Sequence, residues 1–84
     1  MKHYFITFRS ITFAQRAERL ISRGGVRCTM QRTPKWMEEQ GCGYALRVLS
    51  QDIRLQAEQL RQAKVPMRRI YWHKDDGMFE EVAL

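Results

Sequence analysis

An α+β fold is predicted by three observations. Short stretches rich in aromatic and β-branched residues are separated by two stretches whose apolar residues recur at helical spacing. Within the first 73 residues these stretches follow one another in the order β-α-β-β-α-β. The breakers Gly24-Gly25, Thr33-Pro34 and Val65-Pro66 fall between them, where the chain has to turn.

The first strand is "KHYFITF", short and dominated by aromatic and β-branched side chains. Ser10 is a suitable N-cap for "ITFAQRAERLISR", in which Phe13, Ala14, Ala17, Leu20 and Ile21 make one apolar stripe. Gly24-Gly25 ends that helix, and Arg23 suits the negative end of its dipole. "VRCTMQ" alternates Val26, Cys28 and Met30 with Arg27, Thr29 and Gln31, which marks strand two. "KWMEEQGCG" reads as a loop, with room for one helical turn started by Pro34. "YALRVL" is strand three. Ser50 or Asp52 caps "DIRLQAEQLRQA", whose apolar face through Ile53, Ala57 and Leu60 is thinner than that of the first helix, and "MRRIYWH" is strand four. The remainder, "KDDGMFEEVAL", carries weak signals and fits a short extra strand, a docking tail or a frayed end.

This order is that of the ferredoxin-like split β-α-β plan, a four-stranded antiparallel sheet in the spatial order 4-1-3-2 with both helices on one face. Residues 1–73 are expected to form the single domain and residues 74–84 an acidic C-terminal tail. A chain of 84 residues has room for one thin core and no separate catalytic domain. Its apolar runs are far shorter than a membrane span, and "MKHYFITFRS" has no signal-peptide core, so a cytoplasmic location is expected. Cys28 and Cys42 are then free thiols more readily than a disulfide. With His3 and His73 at opposite ends and no metal-ligand spacing, neither a metal nor another cofactor is expected. There is no phosphate loop, Ser-His-Asp set or carboxylate pair, which favours a non-enzymatic protein.

The net charge of +6 is uneven. Residues 1–35 hold eight Lys or Arg against Glu18 alone, whereas residues 36–84 hold seven against eight acids. Such an N-terminal excess suits anionic partners or a solvated face.

One cysteine is set apart. Gly41 and Gly43 flank Cys42, removing bulk on both sides and letting the backbone bend around the thiol. Because strands one and three are antiparallel neighbours in the expected sheet, the start of strand three lies beside the end of strand one. Cys42 is thereby expected near Arg9, Ser10 and the first turn of helix one, where free N–H groups and a guanidinium favour a thiolate. Cys28, alternating with Val26 and Met30, reads instead as a small core side chain.

"YFITFRSITFAQRAERLISRGGV", Thr33-Pro34 and "CGYALRV" resemble the selenium/sulfur carrier protein-like family of small bacterial domains, over about residues 4–72. The most specific pieces are Thr7-Phe8-Arg9-Ser10, Ala17-Glu18, Thr33-Pro34 and Cys42-Gly43. The resemblance implies a ferredoxin-like fold and Cys42 as the residue that carries the chalcogen. The family pattern has arginine after the proline where this chain has Lys35, a change that weakens bidentate anion contact. Sulfur-relay carriers of other families present a Cys-Pro-x-Pro motif at a helix start, which this chain lacks.

Three readings follow. In the first, Cys42 takes a sulfur or selenium atom from a donor protein and passes it to an acceptor protein, with Arg9, Ser10, Gly41 and Gly43 supporting the thiolate. In the second, the sheet face left bare by the helices binds nucleic acid through Arg27, Thr29, Arg47, Arg69, Tyr71, His73 and Phe5, although "YALRVL" lacks the paired aromatics of an RNA-recognition strand. In the third, the same face, with Phe5, Leu49 and Tyr71, is covered in a homodimer or by a second domain.

Overall fold

In the computed structural model, which describes residues 1–37 and 43–83, the elements are β1 (Lys2–Thr7), α1 (Ile11–Arg23), β2 (Cys28–Arg32), one 3-10 turn (Lys35–Met37), β3 (Tyr44–Ser50), α2 (Ile53–Gln62), β4 (Ile70–His73) and β5 (Phe79–Glu81). Both helices start at the caps the sequence offers. Ser10 Oγ accepts the Phe13 N–H at 3.3 Å, and Asp52 Oδ1 accepts the Arg54 N–H at 3.1 Å. Helix α1 ends where Gly24 donates to the Leu20 and Ile21 carbonyls and Gly25 turns to φ 84°. Helix α2 ends at Lys64, which takes the same left-handed conformation at φ 60° without being glycine, and Val65 N–H returns to the Leu60 carbonyl at 2.9 Å. Among the described residues no helix is long and apolar enough to cross a membrane.

The sheet is antiparallel throughout, in the order β2-β3-β1-β4-β5. The neighbours of β1, β2, β3 and β4 are those of the expected order 4-1-3-2 taken from the other edge. The expected count of four strands is corrected to five. The physical reason is the turn Asp75-Asp76-Gly77, in which Gly77 adopts φ 85°, Asp76 Oδ1 accepts the Met78 N–H and Lys74 N–H reaches the Met78 carbonyl at 2.8 Å. That turn folds Phe79–Glu81 back onto β4, so of the three fates open to the C-terminal stretch, the structure shows the extra strand. Strand β4 begins later than its sequence suggests. Met67 to Arg69 stand before it, although Arg68 N–H to Thr7 O and Thr7 N–H to Arg69 O still tie this stretch to β1.

One face of the sheet carries Tyr4, Ile6, Leu46, Val48 and Ile70 and packs against Ala14, Ala17 and Ile21 of α1 and Ile53, Ala57 and Leu60 of α2. Both helices therefore lie on one side, as expected. Phe8, fully buried, closes this core just past the end of β1. At the other end, Ser50 Oγ accepts the Asp52 N–H and donates to Gln56 Oε1, so the turn from β3 into α2 is held by a buried polar pair.

Candidate functional site

The last paired residues of β1 and β3 are Thr7 and Ala45. Beyond them the chain runs to Phe8, Arg9 and Ser10 on one side and back to Tyr44 and Gly43 on the other, so Arg9, Ser10 and Gly43 stand at the same end of the sheet as the N-terminus of α1. Gly43 has φ 74°, a conformation that favours glycine, and its carbonyl accepts the Thr33 N–H at 2.8 Å. This bond closes the base of the β2–β3 connection. Arg9 is exposed and makes no ion pair among the described residues, while Ser10 Oγ is occupied in capping α1. Gly41 and Cys42, the centre of the expected site, lie outside the described residues. Sequence-predicted Arg9, Ser10 and Gly43 thus share one end of the sheet.

The connection is held a second time by the 3-10 turn. Trp36 lies on the face of the sheet opposite the helices, its ring 5.2 Å edge-on from Tyr71 and 4.9 Å from Phe79. From the edge at β2 the chain has crossed over β3 and β1 to reach β4 and β5.

Antiparallel register arranges that open face in rows. Leu49, His3, His73 and Phe79 follow one another across the strands, with Arg27 joined to Leu49 through a backbone hydrogen bond of 3.0 Å. The next row is Thr29, Arg47, Phe5, Tyr71 and Glu81. All the open-face residues expected from alternation therefore lie on it; Arg69 stands just before β4, opposite Thr7, with its guanidinium gripping both carboxylate oxygens of Glu81 at 3.0 and 3.1 Å. Trp36 and Phe79 complete an aromatic group with Phe5, Tyr71 and His73. Sequence reasoning missed these two as face residues. The signal for Phe79 was Asp76-Gly77, a hairpin dipeptide between two short apolar stretches.

The other thiol behaves as its alternation suggests. Cys28 is half-buried against the core, its Sγ 3.2 Å from Ser22 Oγ and 3.6 Å from the Glu18 carbonyl. Burial pushes its pKa up, against a weaker opposing effect of the Ser22 hydrogen bond. Among the described residues no three His, Cys, Asp or Glu side chains cluster as metal ligands would.

Together these features define a small α+β domain whose chain re-enters the sheet at Gly43, at the end from which α1 starts. A family model described as "Putative Se/S carrier protein-like" matches residues 3–72, and the chain belongs to this family. No curated protein and no solved structure matches the chain.

Proposed function

We propose that the protein is a chalcogen carrier that uses Cys42 as its carrying thiol. The observation that most supports this is Gly43: its left-handed backbone and its bond to Thr33 hold the residue following Cys42 at the end of the sheet from which α1 starts. The free N–H groups of that helix end and Arg9, which makes no ion pair among the described residues, offer positive charge there. A thiolate is favoured by such surroundings.

In the proposed cycle the Cys42 thiolate attacks the outer sulfur of a donor persulfide R–S–SH. A Cys42 S–S bond forms, the donor's S–S bond breaks, and the electron pair leaves on the donor thiolate. The reverse exchange hands the outer sulfur to an acceptor thiolate and restores Cys42. No external oxidant enters. With selenium the bond made and broken is S–Se.

Intact mass after incubation with a persulfide-generating desulfurase tests this reading. One added sulfur is expected on the wild type and on Cys28→Ser, and none on Cys42→Ser. Sulfur retained by Cys42→Ser would overturn it.

A further inference from the structure

We propose, independently of the carrier cycle, that the open face of the sheet binds single-stranded nucleic acid, with phosphates on its β2–β3 half and bases against its β4–β5 half. The β2–β3 half is cationic. Arg27 and Arg47 are exposed and make no ion pair among the described residues, and with His3, Thr29 and Leu49 they line a cavity of about 200 Å³. Thr29 sits directly across from Arg47, which adds a hydroxyl to the same corner. The acid that register places on this face, Glu81, is already neutralised by Arg69 at 3.0 Å. An anion entering the corner therefore meets two guanidinium groups that make no ion pair among the described residues, while the charge of Asp75 also reaches His3.

The other half is a stacking surface. His73 and Phe79 lie parallel with centroids 4.3 Å apart, Phe5 packs beneath both, and Trp36 remains 55 % exposed above Phe79. Every nucleobase has a π-face that such rings can take, which makes stacking tolerant of sequence. At about 4.8 Å between strands, the face spans about 19 Å from β2 to β5, and open sheets of this kind seat two or three bases. Cations and exposed rings on one face are what distinguish this surface from α1, where Arg16 and Arg19 are exposed on a helix whose one aromatic, Phe13, packs against the core. An acidic peptide would use the arginines but leave the rings unused.

Fluorescence anisotropy of short labelled oligouridylate and oligothymidylate, at about 50 mM and about 200 mM salt, reads the proposal. Binding that weakens with salt is expected. Arg27→Gln with Arg47→Gln should reduce affinity roughly tenfold at the lower salt and flatten the salt dependence. The paired change Arg16→Gln with Arg19→Gln should leave affinity within about twofold, because it removes equal charge from the other side of the molecule. Oligonucleotide should quench tryptophan emission in Trp72→Phe but not in Trp36→Phe. Circular dichroism shows whether each variant is folded, and a conservative Arg47→Lys keeps the test usable if Arg47→Gln is not. The proposal is overturned if neither oligonucleotide binds, if the helix variant loses as much affinity as the face variant, or if polyglutamate displaces the oligonucleotide at equal length. Preference for the uridylate over the thymidylate, or equal affinity for both, supports it and distinguishes RNA from generic single strands.

Discussion

Cys28 shows how little the bare presence of a thiol says about reactivity. Its sulfur is half-covered by the α1 turn that carries Glu18 and Ser22, and burial disfavours the thiolate, so its pKa lies above the usual value. Below neutral and up to the ordinary thiol range, Cys28 should be alkylated by iodoacetamide far more slowly than Cys42, as timed peptide mass mapping would show; faster modification of Cys28 would contradict its assignment to the core. The sign for stability follows. A pKa raised on folding stabilises the fold below the unfolded thiol's value, and that contribution is lost as pH rises through the folded value. His3 works in the opposite sense. Burial lowers its pKa, Arg47 and His73 add to this, Asp75 opposes it, and the N-terminus contributes a small further lowering. Its Nδ1 is buried with no hydrogen-bond partner among the described residues. A base depressed on folding gives its full contribution above about pH 6.5 and loses it as pH falls through the lower folded value. Urea midpoints should therefore drop between neutral and mildly acid pH, and His3→Gln should flatten that drop; an unchanged pH profile in the variant would show that another group is responsible.

At the scale of elements, the caps were legible because their chemistry is local. Ser10 three residues before Phe13, and Gly24-Gly25 after Arg23, bound α1 at the residues the structure gives. Ser10→Ala should cost about 1 kcal/mol in chemical denaturation, with no change in α2. Lys64 was not legible as a left-handed residue, because lysine carries no preference for that conformation and only the Leu60–Val65 hydrogen bond reveals it. Lys64→Gly should accordingly stabilise the protein by about 1 kcal/mol, a gain that thermal melting would detect. Strand β5 is only one of three fates open to its stretch of sequence, for a related reason. "FEE" has neither alternation nor β-branching, and its pairing is imposed by the turn at Gly77 rather than by its own side chains. Trp36 was read as a loop residue and is one, yet the ring it packs on belongs to strands far along the chain, which no local pattern encodes.

For the molecule as a whole, the two-layer division into a helix face and an open face was readable from alternation, since Val26, Cys28 and Met30 against Arg27, Thr29 and Gln31 can be satisfied only by burying one set. Which end of the sheet holds Arg9 and Gly43 also followed, from antiparallel neighbours. Cys42 and the contacts expected of it lie outside the described residues. The core itself is thin enough that one side chain matters. Phe8→Ala should cost about 3 to 5 kcal/mol, a large share of what a domain of this size has, and denaturation should show a partly unfolded population at ambient temperature. The position of β1 has a further consequence in time. It is the first strand made and the central one, pairing Tyr4 with Val48 on one side and with Trp72 on the other in a chain of 84 residues. During synthesis both edges of β1 stay bare until β3 and β4 have emerged, and folding must wait for contacts distant in sequence. The nascent chain therefore passes through a long interval with an open apolar strand, in which chaperone capture or self-association competes with completion of the sheet.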